Sequence, residues 1–290
     1  MGVKHLPAAI SWHSIKEQSE MKKKKLRLST VLTVLFTVGF VISGTMVYKT
    51  LHEAHMEKQG FEKLAQMVAA GQAETPADPA PETESTPEEA EPQPAETRKA
   101  SPYAPLKALN QDFFGWISIE GTAVNYPVMH TPENPEYYLH HDFEGGDSQS
   151  GVPFMDAACH DGCGNYLIYG HNMKNGSMFA TLPSYAKRTF WEEHPVIRFD
   201  TLSDAGTYEV VAAFYSQVYE KEAENVFRYY DYTDLGKIDD FESYVAQVKA
   251  ASQYDTGITP VYGDQLLTLS TCSYHTDDGR FVVVARKVVG

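Results

Sequence analysis

Residues 266–286 read LLTLSTCSYHTDDGRFVVVAR, and this stretch decides the fold of the chain. Two runs of apolar and β-branched residues flank a short polar segment, residues 273–279, that ends in the turn signal Asp-Asp-Gly. This pattern predicts a β-hairpin. The first strand ends at Cys272 and the second begins at Arg280, so we expect the thiol and the guanidinium to lie near each other at one end of the hairpin.

Further strands are predicted by short runs of Val, Ile, Leu, Tyr and Phe that lie between clusters of Gly, Asn, Asp and Pro. They occupy residues 116–119, 124–129, 152–155, 166–169, 196–199 and 208–215. Together with the hairpin they make a set of short strands that is typical of a barrel or a sandwich. We therefore expect a mainly β fold.

Two helices are predicted within this β texture. At residues 239–251 apolar side chains recur at helical spacing, and Asp239 with Glu242 resembles a capping box. The dipeptide Ser101-Pro102 suits the start of another helix, with Leu106 and Leu109 on its buried side.

An apolar segment near the N-terminus predicts a membrane anchor. Residues 28–48 carry no charged side chain, and a helix of that length spans roughly 30 Å, the thickness of a bilayer core. The preceding tail, residues 1–27, is rich in basic residues. The positive-inside rule therefore places that tail in the cytoplasm and everything after Tyr48 outside. The alternative is a cleaved secretory signal, but the run is long and has no Ala-x-Ala-like site at its end.

Residues 49–102 combine a predicted juxtamembrane helix with an acidic linker. Phe61, Leu64 and Val68 recur at helical spacing. The following Pro, Glu, Ala and Thr tract has too few large apolar residues to offset the entropy of ordering, which predicts disorder. Its carboxylates are Glu74, Asp78, Glu82, Glu84, Glu88, Glu89, Glu91 and Glu96. A flexible tract of this length would hold its ends about 30 Å apart and keep a globular head away from the membrane.

The composition fits a folded head and excludes some classes of function. The 290 residues are 42% hydrophobic and 12% aromatic, and residues 103–290 have the usual size of one domain. The formal net charge is -15, so the averaged field of the chain repels polyanions and argues against nucleic-acid binding. Three cysteines are too few to form a disulfide scaffold.

Three side chains are candidates for nucleophilic chemistry. Cys272 closes a strand beside a polar loop, where substrate can reach a thiol that the sheet holds in place. Arg280 could stabilise a thiolate and then an oxyanion, although Arg286 lies on the same face of its strand and spacing alone does not choose between them. His171 follows a predicted strand and could exchange protons with an amine. The alternatives are a buried structural cysteine, a solvated arginine and an ordinary histidine.

Two other clusters suggest metal or redox chemistry but lack the necessary ligands. His140 and His141 beside Asp142 are adjacent, so they cannot both point inward from a strand. The loop CHDGC, from Cys159 to Cys163, is not matched by a second pair of Cys or His residues at a spacing that suits zinc. In an extracellular head we expect a small loop disulfide or two unpaired surface thiols there, and no metal site.

Taken together, these motifs resemble those of the sortase family. The segment TLSTC at 268–272, with Arg280 at the start of the next strand, resembles the cysteine motif of that family, and YGHN at 169–172 resembles its histidine motif. The segment NYPV at 125–128 and the helix inserted before the cysteine strand are most similar to class B. The resemblance covers residues 103–290.

The resemblance implies an eight-stranded sortase-like β-barrel with an N-terminal helix and an inserted helix before the cysteine strand. It also implies a membrane-anchored cysteine transpeptidase, single-pass, with its catalytic domain on the outer face of a Gram-positive cell. The partners implied are secreted proteins that bear a C-terminal sorting motif and an amine of a cell-wall precursor, a lipid-linked peptidoglycan. Thiol, imidazole and guanidinium supply the chemistry, so no metal or organic cofactor is expected.

The family also implies a role for each residue that matches its motifs. Cys272 would attack the carbonyl of a threonine in the sorting motif and form a thioacyl enzyme. His171 would act as general acid for the departing amine and then as base for the arriving one, and Arg280, chosen over the other arginine, would hold the oxyanion. The side chains that would line the substrate pocket are Ser270, Tyr169 and Asn125.

Three other functions remain open at this point. A pilin-polymerising sortase would use a lysine of another protein as acceptor. A hydrolytic cysteine peptidase would use water. A catalytically idle β-barrel would bind peptide without turnover, and its Cys272 would be unreactive.

Overall fold

The computed structural model of the chain describes residues 12–73 and 101–288. These residues fall into two compact units that divide between Gly60 and Phe61. Helix α1, Trp12–Ala73, runs through the first unit and continues into the second. Its side chains from 29 to 48 are all exposed, and within the described residues it is the one helix long and apolar enough to cross a membrane.

Within the second unit, residues 101–288 contain eight strands that form a closed barrel. The prediction of eight strands is confirmed. The strands are β1 Phe113–Ser118, β2 Asn125–Met129, β3 Phe154–Met155, β4 Asn165–Tyr169, β5 Val196–Thr201, β6 Thr207–Gln217, β7 Leu266–Cys272 and β8 Gly279–Lys287. Their order around the barrel is β1-β2-β3-β4-β7-β8-β6-β5. Strands β2 and β3 pair in parallel, as do β4 and β7, and the other neighbours are antiparallel.

The short helices of the second unit cover the barrel and its ends. They are α2 Ala104–Leu109, α3 Arg188–Glu193 and α4 Ile238–Ala251, with 3-10 turns at Tyr137–Leu139, Leu182–Ala186 and Tyr229–Asp231. The predicted inserted helix is α4. Its buried Tyr244 shares a 2.6 Å hydrogen bond with Thr268 of β7, so β7 is buried on its outer face as well as inside the barrel.

Two details of the helix predictions are wrong. Helix α4 begins one residue before Asp239, and its N-cap, Lys237, makes no side-chain capping bond, so Asp239 and Glu242 do not form a capping box. Asp239 instead lies in the first turn, where a carboxylate favours the helix dipole. In α2, Leu106 is buried as predicted but Leu109 is 63% exposed, because the chain becomes extended at Asn110 and this short helix buries one narrow face.

The C-terminal end of α1 packs against the barrel within the second unit. Leu64 and Val68 are buried in one cluster with Tyr103, Leu106 and Trp116. Phe61 meets Tyr126 edge to face, with 5.2 Å between the ring centroids. The compact unit therefore begins at Phe61, whereas the sequence placed the start of the head at residue 103.

The two ends of the acidic tract lie side by side. The tract itself, residues 74–100, lies outside the described residues. A Cβ on Gly71, just before it, would come within 2.9 Å of the carbonyl oxygen of Pro102, just after it. The expectation that the two ends of the tract lie about 30 Å apart is therefore wrong. The C-terminal end of α1 packs on the barrel, and this packing places the residues that flank the tract close together.

Candidate active site

The β7–β8 hairpin brings Cys272 and Arg280 together as cross-strand partners. The connection is tight: the Ser273 amide donates to the Gly279 carbonyl at 2.9 Å. A Cβ on Gly279 would lie 2.2 Å from the Ser273 carbonyl oxygen, so only glycine fits at this position. The juxtaposition predicted from the sequence is confirmed, and it depends on a turn that admits no side chain at its last residue.

The segment that carries His171 is tied to the same strand end. Strand β4 pairs with β7 in parallel, with Tyr169 opposite Ser270. Beyond β4 the contacts continue: the Gly170 amide donates to the Ser270 carbonyl at 3.1 Å, and the Asn172 side-chain amide donates to the Cys272 carbonyl at 2.9 Å. Thr271 completes the connection, since its hydroxyl donates to the Gly170 carbonyl at 2.7 Å. The histidine loop is thus anchored to the cysteine strand rather than free.

One contact defines the tautomer of His171. Its Nε2 lies 2.9 Å from the carbonyl oxygen of Leu139. A carbonyl oxygen only accepts hydrogen bonds, so Nε2 carries the proton in the neutral ring. Nδ1 is then the ring nitrogen that can gain or lose a proton.

The three side chains line one cavity of about 480 Å³. His171, Cys272 and Arg280 are each partly exposed. Tyr169 and Ser270, which the sequence proposed as pocket residues, line the same cavity. The rest of the lining is Pro135, Glu136, Leu139, Phe154, Asp156, Ala157, Gly170, Val218, Tyr229, Tyr230 and Thr271.

Two tyrosines give the cavity neutral hydroxyl groups. The Tyr229 hydroxyl shares a 2.7 Å hydrogen bond with the Ser270 hydroxyl, and burial raises the pKa of Tyr229 to about 12. The Tyr169 hydroxyl donates to an Asp156 carboxylate oxygen at 2.9 Å. Burial and the nearby Asp156 charge raise the pKa of Tyr169. Both phenols therefore stay protonated at neutral pH.

Asn125 is not part of this cavity. It opens strand β2 with an exposed side chain, and its Oδ1 accepts a 2.7 Å hydrogen bond from the Trp116 indole. The contact holds β1 to β2. The arrangement in the structure therefore gives Asn125 a structural partner and no place beside Cys272.

The two arginines of β8 have different surroundings. Arg286 faces Leu266 at the other end of the hairpin and forms ion pairs with Glu209 and Asp264. These carboxylates raise the pKa of Arg286 against the opposing effect of burial. Arg280 bonds only its own turn, through the carbonyls of Asp278 and Gly279, within the described residues. Of the two arginines, Arg280 is the one that lines the cavity.

Several residues of the site escaped the sequence analysis. Asn172 could have been found, because it directly follows the histidine in the YGHN motif. Tyr229 comes from a 3-10 turn in the long β6–β7 connection, and the Leu139 carbonyl comes from another such turn. Neither has a local pattern that signals its role, since both reach the site only through tertiary packing.

The two clusters that were considered for metal binding lie in structural surroundings. Among residues 12–73 and 101–288, no three or more His, Cys, Asp or Glu side chains converge to hold a metal ion. The His141 ring stacks on Tyr137 at 3.9 Å between centroids, which gives it a structural place. Cys159 and Cys163 are both buried free thiols, so the structure shows neither the loop disulfide nor the surface thiols that were expected.

A thiol, an imidazole and a guanidinium on the lining of one cavity define a site for acyl transfer through a thioester. Similarity to known proteins identifies the family of this site. Residues 117–288 match the family model of the sortase domain. Sortase B of Listeria monocytogenes is 35% identical over 187 residues, which cover 63% of this chain and 72% of that protein.

Two further similarities extend over more of the chain. Sortase B of Staphylococcus aureus is 28% identical over 264 residues, which cover 90% of this chain and 96% of that protein. A solved Staphylococcus aureus sortase B–substrate complex superposes with a TM-score of 0.66 at 25% identity, over 81% of this chain and 98% of the other.

The chain therefore belongs to the sortase family and is a class B sortase, a cysteine transpeptidase. The fold expected from the resemblance, an eight-stranded barrel with N-terminal and inserted helices, is confirmed. Sortases act on sorting-motif substrates and amine nucleophiles.

Proposed function

We propose that this sortase cleaves the C-terminal sorting motif of secreted proteins after threonine and joins the new carboxyl end to an amine of a cell-wall precursor. The observation that carries the proposal is the hairpin pairing of Cys272 with Arg280 beside the anchored His171 loop. This arrangement supports a nucleophile, an oxyanion partner and a proton carrier that face one bound carbonyl.

In the first step the Cys272 sulfur attacks the threonine carbonyl carbon, and the carbonyl oxygen becomes an oxyanion beside the Arg280 guanidinium. The amide C–N bond then breaks, and the departing amine takes from His171 the proton that the imidazole received from the Cys272 thiol. Since Nε2 is engaged by the Leu139 carbonyl, that proton moves through Nδ1. The product is a thioester on Cys272.

In the second step an amine of the acceptor attacks the thioester carbonyl. His171 takes the proton that the amine loses, and the C–S bond breaks to restore the Cys272 thiolate. Ser270 and Tyr169 line the cavity in which the peptide would bind. At its wall the Tyr169 hydroxyl donates its proton to Asp156 and so presents an acceptor oxygen, and the Tyr229 hydroxyl shares a hydrogen bond with Ser270.

The proposal places these steps at the outer face of a Gram-positive membrane. Support comes from the exposed apolar side chains of α1 between residues 29 and 48 and from the lysines that precede them. An anchored enzyme meets secreted clients and lipid-linked wall precursor on the same surface.

Mass spectrometry of the full-length chain in detergent micelles tests the proposal. The protein is incubated with short peptides that place different residues after a threonine, with and without triglycine or diaminopimelate. We expect a thioacyl adduct on Cys272 and an amine-dependent ligated product. Adduct with hydrolysis alone would point to a peptidase, and a labelled Cys272→Ala protein would overturn the mechanism.

A further inference from the structure

A second pair of cysteines lies away from the catalytic cavity. Cys159 and Cys163 belong to the loop between β3 and β4, and each is 3% exposed. The loop enters β4 at Asn165, whereas His171 follows the other end of that strand. Asn165 is paired with Leu266 at the start of β7, and Cys272 ends the same strand. The two thiols therefore do not share the cavity that holds Cys272.

The sulfurs of Cys159 and Cys163 both lie close to one backbone oxygen atom. The sulfur of Cys159 lies 3.4 Å from the carbonyl oxygen of Asn165, and the sulfur of Cys163 lies 3.3 Å from the same oxygen. Because both sulfurs lie against the same oxygen atom, they are near neighbours, and rotation of the Cys159 and Cys163 side chains would bring them closer together.

The backbone of the loop is folded into hydrogen-bonded turns. The Cys159 amide donates to the Asp156 carbonyl at 3.0 Å, and the Cys163 amide donates to the His160 carbonyl at 3.1 Å. Gly162 has a φ of +78°, and a Cβ there would contact nothing within 4 Å. The Tyr166 hydroxyl accepts the Gly162 amide at 2.9 Å and secures the turn to β4.

The protonation of the pair favours exchange chemistry at one sulfur. The hydrogen bond from Cys159 lowers the pKa of Cys163 to about 7, and the same contact with burial raises the pKa of Cys159. A sulfur that ionises near neutral pH beside a protonated neighbour suits attack by the first and resolution by the second.

We propose that Cys159 and Cys163 are a dithiol site that a disulfide reagent oxidises to an intramolecular disulfide, independent of the catalytic Cys272. The Cys163 thiolate attacks one sulfur of the reagent, and a reagent thiolate leaves. Cys159 loses its proton and attacks the mixed disulfide at Cys163, which expels the second reagent thiolate. The chain loses two electrons and two protons, and one reagent disulfide becomes two thiols.

The closed bridge would fix the loop that leads into β4. The first residue of this loop, Asp156, lines the catalytic cavity and accepts a hydrogen bond from the Tyr169 hydroxyl. The bridge would therefore stabilise one wall of the site. Its ring is small, so the gain in stability is modest. We expect the melting temperature to rise by about 5 °C.

The test uses the full-length chain with Cys272→Ala, which leaves two thiols and removes any dependence on sortase activity. The protein is refolded in micelles with oxidised glutathione, so that burial does not bar the reagent, and free thiols are then counted after denaturation. We expect two thiols after dithiothreitol, none after oxidation, and a peptide map that links Cys159 to Cys163.

The single variants Cys159→Ser and Cys163→Ser in the same background are the matched controls. Each should carry one thiol and trap glutathione as a mixed disulfide without the rise in melting temperature. Two free thiols after refolding in oxidised glutathione, bridges between chains, or a bridged form that melts no higher than the reduced one would overturn the proposal. None of these outcomes bears on the acyl-transfer mechanism.

Discussion

The chain uses cysteine in two regions with opposite surroundings. Cys272 ends a strand, is partly exposed and faces Arg280 across the hairpin. Cys159 and Cys163 lie buried in a loop, with both sulfurs against the carbonyl oxygen of Asn165. Residue type is the same in both regions. What differs is access to a cavity and the identity of the neighbour, and these two properties underlie the different roles that we propose for the two regions.

The sharpest test of this contrast is to remove each kind of thiol in turn. Cys272→Ala should abolish both the thioacyl adduct and the ligated product, because no other described thiol lines the cavity. The double variant Cys159→Ser with Cys163→Ser should still form the adduct when it is assayed under reducing conditions. Mass spectrometry reads both. Loss of adduct in the folded double variant would erase the distinction between the two regions.

The cationic neighbour is the next element to remove. Arg280→Ala should lower kcat/KM by about 10²–10³, the usual cost of losing one oxyanion donor, with an unchanged circular dichroism spectrum. Arg286→Ala is the control on the same strand. It loses the ion pairs to Glu209 and Asp264 and should lower stability slightly while leaving the rate within about twofold. Equal loss of rate in both variants would contradict the assignment of Arg280.

A smaller effect is expected where the histidine loop is tied to the cysteine strand. Asn172→Ala removes the 2.9 Å bond to the Cys272 carbonyl and should lower kcat about tenfold with little change in KM, since the loop would hold His171 less accurately. Asn175→Ala, in the exposed part of the same loop, bonds only Ser177 and should match wild type. A parallel fall in both variants would indicate general damage to the loop.

The smallest effect concerns the buried pair and pH. The pKa of Cys163 falls from its ordinary value of 9.0 to about 7 on folding, so the folded state loses this proton more readily than the unfolded state. Stability of the reduced protein should therefore rise with pH between about 7 and 9, and this gain should be lost as the pH falls through 7. Cys159, whose pKa is raised, stays protonated over this range.

Thermal unfolding of the Cys272→Ala protein at about pH 6 and pH 8.5, with and without reductant, measures this dependence. Cys163→Ser should lack the gain, and so should the bridged form, because neither has the titrating thiol. If all three forms change alike with pH, the hydrogen bond between the thiols does not operate in solution.

The sequence predicted the barrel well because its strands are marked locally. Runs of β-branched residues between turn residues reproduced all eight strands, although β3 is only Phe154–Met155. Contacts that depend on distant parts of the chain were missed. The docking of Leu64 and Val68 on the barrel has the same helical spacing as any amphipathic helix, and nothing local tells what covers it.

The same division holds for the site. Strand pairing brings Cys272 and Arg280 together, and His171 follows β4, the strand that pairs with the cysteine strand. Asn125 belongs to a motif of class B, yet its side chain bonds Trp116 away from the cavity. Resemblance of a segment therefore indicated the family, whereas the place of its side chains relative to the cavity depended on tertiary packing.

The meeting of Gly71 with Pro102 changes what the acidic tract can do for the protein. Since the flanking residues Gly71 and Pro102 lie close together, each doubling of the length of the segment between them would cost only about 0.6 kcal/mol. Such a junction accepts insertions. The chain could lengthen there, shorten there or carry an additional folded module without displacing any residue that lines the catalytic cavity.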